Sequence, residues 1–483
     1  MKRYPHLYID GEWVEPVEPG EAELIDPFRE EVFARVSLGG SADVDRAVAA
    51  AQRAFETFSA TSVDERIALI DRVIDVYESY TDDFSELIAR EVGIPVSNRA
   101  QVTGPADHMR VARDILRDYP FESHIGSAIV RREPIGVCAL ISPWNWPIQT
   151  GVIKIVYALA AGCTIVAKPS MNSAASGALF AQVLHEADVP PGVFNLVNGA
   201  GRAVGDALSR HPGVDMISFT GSTGAGRQVG AAAADTIKRV CLELGGKSAN
   251  IVLPDADLEK AARWNIQRGF FNAGQSCHAP TRMLVHESQL EQVVPFLVDE
   301  ASRFRLGDPL ESSTTMGPVV SAAQFKSIRD LIQSGLDEGA RLVTGGLGQP
   351  EGLNHGYFVQ PTVFADVTPE MTIAREEVFG PVLAVMPYRD ENDALRMAND
   401  SPYGLGGFVF GGQEAAARRV VNGLRTGRVS YNGAATDSYS PMGGYKQSGI
   451  GRSMGRFGLE EYLEVKSVYG FEDEAQALPP LFG

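Results

Sequence analysis

The sequence predicts an α/β protein with mostly parallel sheets, divided into more than one domain. Between residues 136 and 244, short apolar runs typical of buried strands alternate with stretches of helical periodicity, which favours a parallel sheet with helices on both faces. A second alternation of the same kind begins near residue 283. The length of 483 residues also exceeds what one hydrophobic core normally holds together, so two or three domains are expected.

The N-terminal part of the chain is expected to be scaffold. Leu7 to Trp13 has the strand, tight turn and return strand of a β-hairpin. One helix is expected from Ser41, taken as its N-cap, and a second helix follows Ser62, which forms a capping-box pair with Glu65. Neither helix carries residues that suggest chemistry.

The alternating region supplies most of the expected elements. Its strands are predicted at 136–142, 164–167, 193–197, 216–219 and 240–244, and its helices at 150–159, 176–187, 205–209 and 226–234. Further on, helices are predicted at 258–271, 290–303 and 323–335, followed by a short helical turn opened by Pro369.

Composition and charge exclude several classes of protein. Lys plus Arg number 43 against 61 Asp plus Glu, a formal net charge of −18. Such a surface repels phosphate backbones and anionic lipid, so neither nucleic acid nor a membrane surface is an expected partner. The most apolar run, 152–167, is interrupted by Lys154 and is shorter than the roughly 20 residues of a membrane span, so it is predicted to be a core segment.

Cysteine usage and the N-terminus favour a cytoplasmic protein. Four cysteines in a chain of this size, Cys138, Cys163, Cys241 and Cys277, are too few for a disulfide framework. The N-terminal residues lack the apolar segment of an export signal. The sequence has no Cys or His cluster with the spacing of metal ligands, and no metal is expected.

One thiol and one carboxylate form a candidate catalytic pair. Cys277 lies among small and polar residues in Gly-Gln-Ser-Cys-His, and Glu243 follows a predicted strand in Leu-Glu-Leu-Gly-Gly-Lys-Ser. A thiolate can attack a carbonyl carbon, and a carboxylate can activate the water that releases the acyl group. A lone cysteine is more often a small buried hydrophobe, so this interpretation depends on the neighbouring motifs.

Other polar residues follow predicted strands. Asn145 stands between two tryptophans and two prolines after strand 136–142, where its amide could donate to an oxyanion, although Asn in such a segment is usually a turn former. Two glycine clusters, 199–205 and 221–226, follow strands and open helices, so either could bind phosphate or be a tight turn. Glu243 then has a rival role as a ribose-binding acid after the second cluster.

Four segments together resemble the aldehyde dehydrogenase superfamily. They are 141–147, 242–248, 270–277 and 376–382, and the similarity extends from about residue 7 to residue 468. The resemblance implies a Rossmann-like NAD(P)-binding domain from 1–120 and 136–246, and a second α/β catalytic domain from 247–450 that carries Cys277. It also implies a small β oligomerisation element from 121–135 and 463–483, and hence a homodimer or homotetramer.

The resemblance further implies oxidation of an aldehyde to the carboxylic acid. Cys277 would attack the aldehyde, and Asn145 with the Cys277 N–H would stabilise the oxyanion. After hydride transfer to NAD(P), Glu243 would activate the water that hydrolyses the thioester. Lys154 would serve proton relay, although relatives often carry a Glu where this chain has Ser453. A coenzyme-A-acylating dehydrogenase and a non-catalytic protein on the same fold remain the alternatives.

Cofactor contacts are also implied by the resemblance. The expected residues are Ile141, Trp144, Lys168, Ser170, Gly221, Ser222, Gly226, Leu244, Glu377 and Phe379. Many NAD-preferring relatives carry a Glu where this chain has Met171. That carboxylate would repel the 2′-phosphate of NADP, and its absence here weakens the discrimination against NADP. NAD is still the favoured cofactor, and NADP remains possible.

The substrate contacts implied by the resemblance suggest a tunnel of mixed polarity for a small-molecule aldehyde. They are Trp146, Gln149, Ser276, His278 and Met442, of which His278 could equally be structural. Met442 belongs to the entrance segment (residues 440–449), where relatives often have an aromatic residue. No arginine or lysine within this segment clearly indicates an aldehyde that bears a carboxylate.

Overall fold

The computed structural model describes residues 2–471. The part of the predicted oligomerisation element from 472 to 483 lies outside the described residues. Within the described range, four sheets are present, and no helix there has the length and apolarity needed to cross a bilayer.

The first sheet has eight strands in the described chain, and its central part is parallel. Its order across the sheet is β20 (Gly449–Ile450), β12 (Arg239–Glu243), β11 (Met216–Thr220), β8 (Val137–Ser142), β9 (Thr164–Pro169), β10 (Phe194–Leu196), β2 (Leu7–Ile9) and β3 (Glu12–Val14). The five strands from β12 to β10 run parallel, whereas β20, β2 and β3 are antiparallel to their neighbours. The predicted N-terminal hairpin therefore extends this sheet.

The second sheet has seven strands and is parallel except at one edge. Its order is β15 (Arg341–Thr344), β16 (Thr362–Ala365), β17 (Val382–Tyr388), β14 (Arg282–His286), β13 (Ala249–Val252), β18 (Gly406–Phe410) and β19 (Arg428–Tyr431). Only β15 is antiparallel to its neighbour. The sequence predicted β14 but missed β13, which begins three residues after a Gly-Gly pair.

Two smaller sheets complete the strands of residues 2–471. One consists of β1 (Lys2–Tyr4), β5 (Glu31–Ser37) and β4 (Glu21–Asp26), and the other of β21 (Leu463–Val468), β7 (Ala128–Pro134) and β6 (Glu122–Ile125). In the second, the C-terminal β21 pairs antiparallel with β7 over its whole length. This is the pairing that the sequence suggested for the small β element.

Helices cover both faces of the first sheet and pack on the second. They are α1 (Ser41–Phe58), α2 (Val63–Ser79), α3 (Thr81–Val92), α4 (Ala100–Asp118), α5 (Pro147–Ala161), α6 (Ala174–Glu186), α7 (Asp206–Arg210), α8 (Thr223–Ala233), α9 (Leu258–Phe270), α10 (Leu290–Ala301), α11 (Ala322–Asp337), α12 (Thr372–Arg375), α13 (Glu391–Asn399), α14 (Glu414–Gly423) and α15 (Gly455–Glu460). On the first sheet, α2, α4, α5 and α6 bury one face in one apolar cluster, while α1, α7 and α8 cover the other. A separate cluster forms the core around the second sheet.

The structure corrects three expected helix starts. The N-cap of α1 is Gly40 rather than Ser41, because the Asp43 carboxylate accepts the Gly40 N–H at 3.0 Å. The helix α5 begins at Pro147, since a proline at the first helical position has no N–H to leave unpaired. Pro369 lies outside α12, which begins at Thr372. By contrast, the Ser62–Glu65 capping box of α2 is confirmed.

The two large sheets face each other through opposite ends of their strands. The carboxyl ends of β12, β11, β8 and β9 carry Glu243, Gly221, residues 143–147 and Lys168. The loops that bear Cys277 and Glu377 precede the amino ends of β14 and β17. The last two residues of the predicted catalytic segment, Gly449–Ile450, join the first sheet instead, and the other domain bounds stay a prediction.

Candidate active site

The loop that carries Cys277 is held in an unusual backbone conformation. This nucleophile loop (residues 271–281) connects α9 to β14, and Asn272, Ala273 and Gly274 have φ angles of 56°, 52° and 72°. A Cβ at Gly274 would lie 2.1 Å from the Gly380 carbonyl oxygen, so only glycine fits there. Two non-glycine residues in left-handed conformation persist only where the surroundings hold them.

Gln275 fixes this loop from inside the protein. Its side chain is 1% exposed. The amide nitrogen donates to the Asn272 carbonyl at 3.1 Å, and the amide oxygen accepts the Val320 N–H at 3.0 Å. Because both ends of the amide are engaged, the backbone next to Cys277 has little freedom to move.

Asn145 lies against the same loop. It is 5% exposed, and its Nδ2 donates to the Gln275 carbonyl at 3.0 Å. Its own carbonyl accepts from Asn272 Nδ2 at 2.8 Å. An amide nitrogen has two donors, so one N–H of Asn145 remains for a substrate oxygen.

Glu243 is a buried carboxylate with one unused oxygen. It ends β12 and is 5% exposed. Its Oε1 accepts from Ser453 Oγ at 3.3 Å, whereas Oε2 is buried without a partner among the described residues. Burial raises the pKa of Glu243 to about 7, against the lowering effect of Lys154 and Ser453. Such a carboxylate can accept a proton near neutral pH.

Cys277 lies within electrostatic reach of two carboxylates. Burial, followed by the charges of Glu377 and Glu243, raises the pKa of its thiol to about 12. The sulfur is 4.0 Å from His278 Nδ1, and a Cβ at Gly246 would lie 2.5 Å from the Cys277 carbonyl oxygen. The thiol is therefore protonated in this state, and its proton must be transferred as the substrate arrives.

Lys154 is buried within electrostatic reach of Glu243. Its Nζ donates to Ser218 Oγ at 2.7 Å. Burial lowers the pKa of Lys154, while Cys241 and Glu243 raise it. An enclosed space lined by Lys154, Ser218 and Ser453 continues to Glu461. Polar groups therefore lie close to Ser453 in this space.

The start of α8 offers room for a phosphate group. Ser222 caps the helix by accepting the Ala225 N–H at 3.3 Å. A Cβ at Gly224 would meet nothing within 4 Å, whereas one at Gly226 would lie 2.4 Å from Leu244 and one at Gly221 would lie 2.6 Å from Phe219. The glycines therefore bring the helix onto the sheet and leave its N-terminus open, as a dinucleotide phosphate requires.

At the end of β9, Lys168 has no acidic partner in the described chain. Its Nζ donates only to the Pro169 carbonyl, at 3.1 Å, and burial lowers its pKa to about 8. Ser170 uses its hydroxyl to cap the following turn by accepting the Asn172 N–H. The amine is thus free for a ribose or phosphate oxygen, and these residues fit a nicotinamide dinucleotide.

Trp144, Phe379 and Glu377 lie where the two large sheets meet. Trp144 and Phe379 touch edge to face, with ring centroids 5.5 Å apart, and the buried Ile141 is the last but one residue of β8. Glu377 accepts the Gly246 N–H at 3.0 Å, and burial raises its pKa to about 7. The expected cofactor residues therefore lie at the carboxyl ends of strands in the first sheet, at the start of α8 and on the loop before β17.

The expected substrate residues are only partly brought together. Trp146 Nε1 donates to Ser276 Oγ at 3.0 Å, and the Trp146 ring stacks on Phe271. Gln149 approaches α4, where a Cβ at Gly104 would lie 2.9 Å from its Oε1. His278 is exposed.

Met442 connects the entrance to the base. Its backbone exchanges two hydrogen bonds of 2.7 Å with Ser453, whose hydroxyl donates to Glu243. Two successive hydrogen bonds through Ser453 therefore connect the Met442 backbone with the Glu243 carboxylate.

Sequence reasoning missed three polar residues near the site. Arg428 begins β19, and His108 and Gln101 belong to α4. Gln101 Nε2 lies 3.5 Å from the Asn145 carbonyl, and Arg428 has Glu243 and Cys277 among its electrostatic neighbours. None of the three stands in a local motif, so only the folded chain reveals their position.

A dinucleotide cleft that opens on a cysteine and a buried carboxylate is the arrangement of a nicotinamide-dependent dehydrogenase that works through a covalent intermediate. Comparison with known proteins is more specific. The model of the aldehyde dehydrogenase family matches residues 13–468, and the chain belongs to this family. The expected fold and the expected reaction, oxidation of an aldehyde to the acid with NAD, are confirmed.

Relatives cover the chain almost end to end. A 3-succinoylsemialdehyde-pyridine dehydrogenase from a Pseudomonas species is 51% identical over 98% of this chain and 100% of its own length. Aldehyde dehydrogenase C from Pseudomonas syringae, solved with NAD+ and octanal, is 46% identical with a TM-score of 0.96 over 98% of each chain. Betaine aldehyde dehydrogenase from Staphylococcus aureus, solved with NAD+, is 36% identical, with a TM-score of 0.93 over 96% of this chain and 95% of that one.

Proposed function

We propose that Cys277 is the nucleophile and Glu243 the general base of this aldehyde dehydrogenase. The single observation that carries the proposal is the unpartnered, buried Oε2 of Glu243 beside the nucleophile loop. A carboxylate with a pKa of about 7 exchanges a proton with water or a thiol at neutral pH.

The first half of the reaction takes place on the thiol. Cys277 loses its proton, directly or through water, to Glu243, and its sulfur adds to the aldehyde carbon. The free N–H of Asn145 and the Cys277 N–H donate to the resulting oxyanion, and each such donor contributes roughly 100- to 1000-fold in turnover. NAD held by the cofactor residues would supply the hydride acceptor, and loss of hydride from the thiohemiacetal would leave a thioester on Cys277.

The second half releases the acid. After Glu243 has released the thiol proton to solvent, it takes a proton from water, and the hydroxide adds to the thioester carbonyl. The carboxylic acid forms as the Cys277 thiolate leaves, and the thiolate takes up the proton from Glu243, which restores both groups. General-base help of this kind contributes roughly 100- to 10,000-fold. A dehydrogenase that passes its acyl group to coenzyme A would not need this base, and a non-catalytic protein would need neither group, so Glu243 argues against both alternatives.

For the cofactor-binding residues we propose the roles expected from the sequence. Lys168, Ser170 and the start of α8 at Ser222 hold the adenosine side of NAD, and Glu377, Phe379 and Trp144 hold the nicotinamide side. Lys154 assists the proton transfers of Glu243, because its charge lowers the pKa of that carboxyl group. The absence of a carboxylate at Met171 leaves NADP as a weaker second cofactor.

The relatives differ in the aldehydes that they bind or are named for. One was solved with octanal, and another is named for an aldehyde with a succinoyl pyridine skeleton. The tunnel beside Trp146, Ser276 and Met442 has both apolar and polar walls, which suits an aldehyde of mixed polarity. A cytoplasmic location and a homodimer or homotetramer also belong to the proposal.

The test is formation of reduced cofactor on a panel of aliphatic, aromatic and semialdehyde substrates, with NAD and NADP in parallel. Cys277→Ala is expected to abolish the activity of the native protein. Cys163→Ala, which removes a buried thiol that donates to the Tyr462 carbonyl, is the matched control and should stay active. Equal activity of native protein and Cys277→Ala would overturn the covalent mechanism. A requirement for free coenzyme A would favour the acylating alternative.

A further inference from the structure

Arg428 places a guanidinium beneath the entrance segment. The residue begins β19 and is half-buried. Its Nε donates to the Pro441 carbonyl at 3.0 Å, and its Nη2 donates to the Ser440 carbonyl at 3.2 Å. Both acceptors are neutral backbone groups, so they position the guanidinium but do not compensate its charge.

The charge of Arg428 has no close counterion in residues 2–471. No carboxylate there lies within ion-pair distance, and Nη1 has no hydrogen-bond acceptor. Glu243, Asp437 and Cys277 are only electrostatic neighbours. The Asp437 carboxylate accepts instead from Tyr439 and Ser440 of its own loop. Leaving a partly desolvated cation unpaired is unfavourable unless another group pairs with it.

Two buried polar atoms on α4 also lack partners. His108 is 5% exposed and Gln101 is 2% exposed, and His108 Nδ1 and Gln101 Oε1 find no hydrogen bond within the described chain. Burial lowers the pKa of His108 to about 4, and the charge of Arg428 acts in the same direction. The ring is therefore neutral at physiological pH, and buried polar atoms of this kind normally bind water or a ligand.

We propose that Arg428 determines specificity at the entrance, and that the substrate is an aldehyde whose far end carries an acceptor oxygen, either a carboxylate or a ketone. The Nη1 of Arg428 donates to that oxygen, and His108 lines the same polar region. A purely alkyl aldehyde would leave these groups unpaired. The inference rests on the proposed function and names the substrate class of the same site.

The experiment compares three aldehydes of matched length with NAD: butanal, succinic semialdehyde and levulinaldehyde, its methyl ketone counterpart. The native protein is expected to prefer the oxygen-bearing substrates in kcat/KM. Arg428→Gln should lower the ratio of kcat/KM for succinic semialdehyde over butanal by about 10- to 100-fold, the effect of one hydrogen bond to a charged group. A fall that is larger for the ketone identifies a neutral oxygen as the preferred acceptor.

Two further variants keep the outcome interpretable. Arg425→Gln, an exposed arginine near the same loop, is the control for a general charge effect and should leave the ratio unchanged. Arg428→Lys retains the charge but not the forked geometry, and should restore part of the preference for the carboxylate over butanal. Thermal unfolding of each variant shows whether loss of the Arg428 hydrogen bonds to the Pro441 and Ser440 carbonyls destabilises the protein.

The inference is wrong if Arg428→Gln slows all three aldehydes to the same extent, or if native protein prefers butanal. In either case Cys277-dependent oxidation continues, and the proposed function stands. If no aldehyde of any class yields reduced cofactor, both the proposed function and the inference are overturned.

Discussion

At the level of single residues, we expect the protonation of Glu243, the proposed general base, to control the balance between the two halves of the reaction. Its pKa of about 7 arises mainly from burial, and Lys154 and Ser453 keep it from rising further. A Glu in place of Ser453, as in many relatives, would add a second carboxylate beside it. The hydroxyl of this chain instead donates one hydrogen bond and adds no charge.

Steady-state turnover is expected to rise with pH through about 7, because only the carboxylate form of Glu243 accepts a proton from water. The check is a pH profile of kcat under saturating aldehyde and NAD.

The raised pKa of Glu243 affects the stability of the protein in the opposite direction. Since the folded protein holds this proton more tightly than an unfolded chain, stability that is present below pH 4.5 is lost as pH rises through about 7.

Glu243→Gln separates the base from its rival role as a ribose-binding acid. The variant should still release one burst of reduced cofactor, at a lower burst rate because the Cys277 thiol then loses its proton to water alone. Its steady-state rate should fall roughly 100- to 10,000-fold because the thioester persists. Rapid-mixing absorbance measures both phases. Glu414→Gln, on the surface helix α14, is the control. A large increase in KM for NAD with turnover unchanged would instead favour ribose binding.

Met171→Glu tests the choice between NAD and NADP. A carboxylate in the turn after β9 would repel the 2′-phosphate of NADP, so the ratio of kcat/KM for NAD over NADP should increase by about 10- to 100-fold. Asn172→Glu places the same charge one residue away and should change the ratio less. A native protein that already rejects NADP as strongly as the variant would contradict this reasoning.

At the level of elements, sequence periodicity and capping residues predicted the strands and helix starts that depend on local interactions. The alternation from 136 to 244 predicted β8 to β12, and the capping box of Ser62 and Glu65 predicted the start of α2. Sequence reasoning missed β13, a four-residue strand whose only signal is a short apolar run. It also misplaced the start of α1, because the capping group is the Asp43 carboxylate two residues inside the helix.

The candidate site was predictable where residues stand in motifs and not elsewhere. Cys277, Glu243 and Asn145 follow recognisable local patterns. The left-handed backbone at Asn272 and Ala273 has no sequence signal, because the packing of Gln275 against Val320 maintains it. Arg428 could not be found either, since its approach to Glu243 and Cys277 depends on contacts between distant segments.

Gly274→Ala is expected to disturb the nucleophile loop. Its Cβ would lie 2.1 Å from the Gly380 oxygen at a φ of 72°, so the loop must shift and Cys277 with it. Misplacement by about 1 Å can cost roughly 100-fold in rate, which steady-state kcat measures. Gly269→Ala in α9, where a Cβ would lie 3.6 Å from the Pro280 carbonyl oxygen, should keep most of the activity. Equal losses in both variants would argue against a special role for the loop.

At the level of the whole molecule, the site depends on two sheets that meet through opposite strand ends. The first sheet contributes the carboxyl ends that hold Glu243 and Lys168, and the second contributes the loops before β14 and β17. A Cβ at Gly246 would lie 2.5 Å from the Cys277 carbonyl oxygen, a backbone atom of the facing half. Close approach of the two halves therefore requires glycine at the junction.

The small sheet of β6, β7 and β21 has an apolar surface that favours association. Ile125, Val465, Tyr469 and Phe471 are 63%, 64%, 67% and 78% exposed. Exposed edge strands with apolar side chains tend to pair with another chain. Such a surface is consistent with the proposed homodimer or homotetramer.

Val465→Asp should therefore lower the oligomeric state, because a buried charge at the interface would lack a partner. Sedimentation velocity over a range of protein concentrations measures the result. Ile237→Asp, in a turn where the side chain is 91% exposed, introduces the same charge elsewhere and should leave the native assembly intact. A native protein that is monomeric throughout would contradict the role proposed for this sheet.

The pairing of β20 with β12 has a consequence for synthesis on the ribosome. Glu243 and Ser453 are 210 residues apart in the chain, which corresponds to roughly 10 to 40 s of translation at about 5–20 residues per second. Until β20 and Ser453 have been synthesised, the first sheet of the nascent chain has an open edge at β12. Glu243 then also lacks its hydrogen bond from the Ser453 hydroxyl. The enzyme therefore cannot complete its catalytic base while its C-terminal part is still being made.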